Sequence, residues 1–339
     1  MGSNQTKEYD STENPSIKDP DWMSRLPDKK SLLHLSIPGT QGSVVLHGGN
    51  MHQAQSWSLY KQYEAGIRYV DIHCRHHYNT LPVHVGIMYQ HQELNHVLRT
   101  TIEFLKKHSK ETILMHITEE LLPEGNTRYF CDTVDHYITE AGKSWFWNSA
   151  AIPNLGEVRG KIIILQNFPG LDIGIKYNTL KVSDHFHVPT LFDIGRKWSS
   201  VEDNITEAHT GNFDQLYLTV CAGGSSGAYP YSVAANINGK LYYYLSDKTH
   251  RMLRYGIIAM NYPGSELIQL IIKSQPDDSE FPHEPASINI PSPSEPSTPK
   301  PSTPKPASSN VPSTNQPTTS KQASSNTPSA TNPKPQKSL

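Results

Sequence analysis

Short apolar runs bounded by turn residues alternate along the chain with longer stretches of helical periodicity. Residues 31–37 (SLLHLSI) predict a strand that runs into the turn Pro38-Gly39-Thr40. Residues 67–74 (IRYVDIHC) alternate, with Val70 and Ile72 on one face and Asp71 and His73 on the other, as the two-residue period of a strand requires. Residues 81–85 predict a short strand ended by Gly86. In residues 93–108, Leu94, Val97, Leu98, Ile102 and Leu105 form one helical stripe. Residues 112–117 (TILMHI) predict a buried strand, and 127–141 a second helix stopped by Gly142. Residues 161–165 (KIIIL) carry the clearest core strand. Residues 216–221 and 256–260 add two more, and 267–273 (LIQLIIK) closes the set. Strands alternating with helices imply a mostly parallel sheet covered on both faces. Seven or eight strands in about 250 residues predict a distorted TIM-type α/β barrel, whose chemistry belongs at the C-terminal strand ends.

The pattern stops near Gln275. Beyond it Pro, Ser, Thr, Lys and Asn dominate, and Ser297-Thr298-Pro299-Lys300-Pro301 is followed by the near copy Ser302-Thr303-Pro304-Lys305-Pro306. Such a segment buries too little apolar surface to offset its chain entropy. The 339 residues therefore divide into a flexible segment 1–20, a barrel domain 21–274 and a disordered tail 275–339. A net charge of −2 favours no nucleic-acid partner, and the tail's few scattered lysines read as solvated spacer. Cys74, Cys131 and Cys221 supply neither a disulfide framework nor paired metal ligands, and read as buried small residues of a reducing compartment. No apolar run spans a membrane and the polar start offers no signal peptide. Met1-Gly2-Ser3-Asn4-Gln5-Thr6 fits the myristoylation pattern at Gly2. The expected location is cytoplasmic, with peripheral membrane attachment through that group. The sequons at Asn4 and Asn204 matter only for a secreted chain.

Trp22-Met23 leads to Leu35-Ser36-Ile37-Pro38-Gly39-Thr40, and then to Ala65-Gly66-Ile67-Arg68-Tyr69-Val70-Asp71-Ile72. Glu111-Thr112-Ile113-Leu114-Met115, Arg159-Gly160-Lys161-Ile162-Ile163-Ile164-Leu165 and Ala228-Tyr229-Pro230-Tyr231 follow. In this order and spacing the chain resembles the catalytic X domain of the phosphatidylinositol-specific phospholipase C family, particularly its small metal-independent bacterial type and animal relatives. The resemblance implies cleavage of the phosphodiester of phosphatidylinositol by attack of the inositol 2-hydroxyl. That reaction needs a base, an acid for the leaving oxygen and a cation for the phosphoryl charge.

The family's text is replaced at each of those roles. Its base is the His of Pro-Gly-Thr-His-Asp-Ser, where this chain reads Pro38-Gly39-Thr40-Gln41-Gly42-Ser43. Gln41 cannot take a proton near neutrality, and Gly42 stands where the base's carboxylate partner would be. His73 replaces the phosphate-binding Arg and lacks its fork of donors. Arg75 is a substitute candidate two residues on. Val85 occupies the acid's position, and His84, one residue away, should face the other side of the strand. Asn261 replaces the supporting carboxylate.

The resemblance leaves ligand-binding candidates in Asp71, Asp184, Tyr229 and Tyr231, with Gln166 and Asn167 where a basic residue would help hold inositol. Gly223-Gly224-Ser225-Ser226-Gly227 reads as a rim loop, since no Walker-type Lys follows it. Tyr242-Tyr243-Tyr244 is expected to pack on the core. No metal or other cofactor is expected: the cluster His73, His76, His77, His84, His91 lacks a metalloenzyme motif, and Gly42 and His73 break the oxygen cage of calcium-dependent relatives. The leading expectation is a catalytically impaired phospholipase C-like module that binds an inositol-type head group, a membrane surface or a protein. The alternatives are an active phosphodiesterase with a rearranged site using His73, His84 or Arg75, and a structural protein whose Pro/Ser/Thr tail carries the function.

Overall fold

The computed structural model of the protein describes residues 4–250 and 253–277. Its elements run β1 (Ser36–Thr40), α1 (Gly49–His52), α2 (Leu59–Ala65), β2 (Tyr69–Cys74), the hairpin β3 (Pro82–Val85) and β4 (Met88–Glu93), then α3 (Leu94–Lys107), β5 (Ile113–Glu119), α4 (Phe130–Ala141), α5 (Leu155–Val158) and β6 (Ile162–Asn167). There follow β7 (Ile175–Lys176), β8 (Lys181–Ser183), α6 (Ile194–Thr210), β9 (Tyr217–Val220), α7 (Pro230–Ser246), β10 (Gly256–Met260) and α8 (Ser265–Lys273). The sheet order is β7-β6-β5-β2-β1-β10-β9-β8, parallel throughout, with the β3–β4 hairpin attached antiparallel to β2. Among the described residues β7 and β8 do not pair, so the sheet curls as a barrel does but stays open between its edges. Its strands are apolar on both faces because helices cover the outside and side chains fill the inside; Ile162, Ile163, Ile164 and Leu165 are all fully buried.

The N-terminal face is bolted by one buried ion pair. Arg68, just before β2, sends Nε and Nη2 to Glu111 Oε2 at 2.9 and 2.7 Å. Its remaining donors reach the carbonyls of Tyr63, Ile67 and Pro20. Glu111, just before β5, also accepts from the backbone N–H groups of Met23 and Ser24. Trp22 Nε1 donates to Gly66 O at 2.8 Å. Arg159 donates to the carbonyls of Met23, Leu26 and Lys110. Much of the text that carries the family resemblance is thus the clamp that holds the loops beneath the sheet.

Several expectations need correction. Residues 267–273 belong to α8 and not to a strand. Leu267, Ile268, Ile271 and Ile272 are its buried apolar residues, spaced one and four apart as a helix face demands. Within 31–37 the strand begins only at Ser36, after a 3₁₀ turn at Leu32–His34. Residues 4–20, expected to be flexible, instead pack on the domain. Tyr9 bridges Pro263, and Tyr9 and Asp10 are buried. A side chain on Gly264 would meet the backbone of Lys7, Glu8 and Tyr9 at 2.4–2.5 Å. Tyr242 and Tyr244 pack against a core cluster, whereas Tyr243 is exposed. The three cysteines are buried and unpaired. Among the described residues no helix is long and apolar enough to cross a membrane. The tail from residue 278 and the myristoylation candidate Gly2 lie outside the described residues.

Candidate functional site

The parallel register lays β2 beside β5 with Asp71 opposite His116 and His73 opposite Thr118. Asp71, buried to 1 % exposure, collects three donors. The backbone N–H of Gly42 lies 2.8 Å from Oδ2, His116 Nδ1 lies 2.6 Å from Oδ1, and His73 Nε2 is 3.1–3.2 Å from both oxygens. His73 Nδ1 donates to Glu120 Oε2 at 2.9 Å, and the other Glu120 oxygen accepts from Gly86 N at 2.7 Å. The result is an alternating chain, His116–Asp71–His73–Glu120, across the C-terminal ends of β2 and β5. His116 stacks on Tyr177 with ring centroids 4.1 Å apart, and its Nε2 is buried without a hydrogen-bond partner among the described residues.

These contacts decide the charges. Burial opposes the imidazolium of His73, but Asp71 and then Glu120 overcome it, raising the pKa to about 10. Burial likewise works against the Asp71 carboxylate, yet His73 and His116 hold it ionised well below its ordinary range. Glu120 is lowered too, its burial outweighed by His73 and the Gly86 N–H. At neutral pH, His73 is therefore a fixed cation with both nitrogens already committed to carboxylates.

This group opens onto a cavity of about 270 Å³ at the barrel mouth. Gln41 and Gly42 line it from the loop after β1, Asp71 and His73 from β2, Val85 from the end of β3 and Asn261 from the residue after β10. All five positions at which the chain departs from the family's catalytic text therefore face one space. Gly224, Ser225 and Ser226 of the Gly-rich segment contribute part of the rim, as do Met51, His52 and Phe186. The loop after β1 is fixed from beneath: Gln55 Nε2 donates to Gln41 O and Met260 O, and Asp71 N donates to Ser43 Oγ. Asn261 is 2 % exposed, and its Oδ1 has no hydrogen-bond partner among the described residues. Gly42 has φ +54°, and a Cβ there would sit 3.1 Å from Val45 Cγ2 and 3.3 Å from Ala54 Cβ. The family's aspartate would meet a left-handed backbone and a tight wall at this position.

Other sequence candidates lie elsewhere. His84 turns away from the cavity as the strand period required and packs against Tyr89 at 5.5 Å, its pKa lowered by burial and by Arg75. Arg75 does not substitute for the missing arginine at the cavity; its Nη2 pairs with Glu124 Oε2 at 2.5 Å. Tyr231 packs beside the Tyr9–Tyr262 cluster and stacks with Tyr229, and neither tyrosine lines the cavity. Asp184 is exposed on the segment after β8, outside the cavity lining. Gln166 is buried and tied to the Phe168 and Leu171 carbonyls. His116, Glu120 and His52 were not singled out in the sequence. Among the described residues no cluster of three or more His, Cys, Asp or Glu side chains is arranged to hold a metal ion.

Residues 40–168 match the family described as phosphatidylinositol-specific phospholipase C, X domain. The 1-phosphatidylinositol phosphodiesterase of Listeria monocytogenes serovar 1/2a is 29% identical over 283 residues, covering 76% of this chain and 86% of the relative. That of Staphylococcus aureus strain Newman is 27% identical over 280 residues, covering 72% and 88%. The solved phosphatidylinositol-specific phospholipase C from Listeria monocytogenes superposes with a TM-score of 0.65 at 30% identity, over 76% of this chain and 99% of its own.

Proposed function

The chain belongs to the phosphatidylinositol-specific phospholipase C X-domain family, and from that premise we propose that its barrel-mouth cavity binds an inositol-type head group while hydrolysing the phosphodiester far more slowly than an enzyme with the family's full proton-transfer set. The observation that carries this reading is that Gln41 and Val85, which can neither take nor give a proton at neutral pH, stand in the same cavity as a histidine locked into its charged form. Asp71 and Glu120 together outweigh the charge of His73, so the phosphate gains less here than from a free guanidinium. The ligand's hydroxyls fit the remaining groups better. The Gln41 amide and the Ser226 hydroxyl offer neutral polar contacts to a polyol. The expected affinity is accordingly weak, with a Kd on the order of 1 mM.

The test is an NMR titration of the full chain with myo-inositol 1-phosphate, followed beside a Val85→Phe variant that fills the cavity. Saturable shifts in the wild type, lost in Val85→Phe, are the expected result. Shifts that fail to saturate, or that persist unchanged in the variant, would remove the head-group reading. A second reading, an active hydrolase with a displaced base, draws on one observation: a second imidazole lines the cavity.

A further inference from the structure

That imidazole belongs to His52, the last residue of the short helix α1. It lines the same 270 Å³ space as Gln41, Asp71, His73 and Asn261. Three titratable side chains line this cavity, and two of them are locked. Asp71 is surrounded by the Gly42, His73 and His116 donors, and His73 has a carboxylate on each nitrogen. His52 is different. It is half-buried, and neither of its ring nitrogens has a hydrogen-bond or ion-pair partner among the described residues. Its place is set by the backbone: Gly48, at φ +115°, has no Cβ, and one built there would meet His52 Cβ at 2.7 Å and its ring Cγ at 3.4 Å. An imidazole that lines the cavity with neither nitrogen committed to a protein group is able to accept a proton from a bound ligand.

We propose that His52 is the proton acceptor for whatever phosphodiester cleavage this cavity retains, replacing from α1 the function that Gln41 cannot supply. The inference rests on the head-group reading, since it requires the phosphodiester to occupy the cavity. In the step, the attacking hydroxyl of the bound substrate forms a new O–P bond and gives its proton to an open ring nitrogen of His52. The P–O bond to the glycerol breaks, its electron pair leaves with the glycerol oxygen, that oxygen takes a proton from water, and the resulting hydroxide takes the proton held by His52. The locked His73, outweighed in charge by Asp71 and Glu120, adds little stabilisation to the phosphoryl group. An acceptor without a matched acid gives a slow reaction, consistent with a valine at position 85.

The experiment measures release of inositol phosphates from phosphatidylinositol in mixed micelles by the full chain, by His52→Ala and by His52→Gln. Each protein is also titrated with myo-inositol 1-phosphate by NMR, and its unfolding midpoint is recorded. The wild type is expected to turn over slowly but above buffer, and both variants to lose about tenfold to a hundredfold of that rate. Inositol phosphate affinity should stay within about twofold, because neutral contacts elsewhere carry it. Added imidazole should restore part of the rate in His52→Ala and leave His52→Gln unchanged, a result that a purely structural role for His52 would not produce. Unchanged turnover in both variants with binding intact would overturn the inference and leave the head-group reading standing, as would a wild type with no turnover above buffer. A wild type that binds no inositol phosphate would overturn the head-group reading and the inference with it.

Discussion

Glu111→Ala is expected to destabilise the domain by about 3–5 kcal/mol, and to lower its unfolding midpoint by roughly 6–20 °C. The reason is the position of Arg68. Its guanidinium is fully buried, packed 4.9 Å from the Phe104 ring centroid, and its charge is balanced by Glu111 alone at hydrogen-bond distance. Burial already lowers the Arg68 pKa, with Glu111 the main opposing influence. Removing the carboxylate leaves an uncompensated cation in the core and takes the acceptor from the Met23 N–H, while the Ser24 N–H keeps its bond to the Asp21 carbonyl. An Arg68→Met, Glu111→Leu double variant should recover much of the loss, because no unpaired charge remains. Thermal and denaturant unfolding of the three proteins checks this. A loss below about 1 kcal/mol in Glu111→Ala would mean that the clamp is not what holds the N-terminal face.

The second large effect concerns pH. The folded state raises His73 from its ordinary 6.5 to about 10. A raised histidine contributes stability that is fully present below pH 6.5 and is lost as pH rises through the folded pKa. Stability should therefore fall between about pH 6.5 and pH 10. The His73 side chain is 27% exposed, so water screens part of the effect, and a fall on the order of 2–3 kcal/mol is expected. Asp71 is the other half of the same ion pair, and its depressed carboxyl works at the opposite end, losing its contribution only as pH falls below the ordinary Asp range. Denaturant unfolding at pH 6.5 and pH 9.5 reads the difference directly. His73→Gln should flatten the curve across this window; an equally steep curve in the variant would assign the effect to another group.

The sequence announced the scaffold more clearly than the site, for physical reasons. β6 and β5 are continuous apolar runs because both faces are covered, and α3 shows its stripe because its other face is wet. The helix α6 carries no clean apolar stripe in the sequence. Its buried face includes Lys197 and Asn204, which are tied to the Val220 and Leu218 carbonyls, so the apolar spacing is broken by residues that are nonetheless inside. α8 reads as a strand in the sequence because LIQLIIK is too short and too apolar to separate a strand from a helix by period.

At the site, the alternation of residues 67–74 did place Asp71 and His73 on one face, and the two-residue period did turn His84 away. What sequence could not supply was the register. His116 sits inside TILMHI like any core residue, and only its pairing opposite Asp71 makes it a third donor. Glu120 follows the end of β5 with no local signal, and His52 becomes a cavity residue only when the loop after β1 folds over the barrel mouth. Gln41 and Gly42 read as simple losses in the text. In the fold Gly42 still serves, because its N–H holds the Asp71 carboxylate.

The proposal of a head-group cavity that lacks most of the family's proton-transfer groups is tested most directly by a side-by-side rate measurement. Hydrolysis of phosphatidylinositol in mixed micelles by the full chain should be followed in parallel with the Listeria monocytogenes phosphodiesterase, at equal protein concentration and pH. Base and acid positions each contribute about 10²–10⁴ in rate, so the chain is expected to run at least about 10³-fold slower than that enzyme. A rate within about tenfold of the Listeria enzyme would contradict the account.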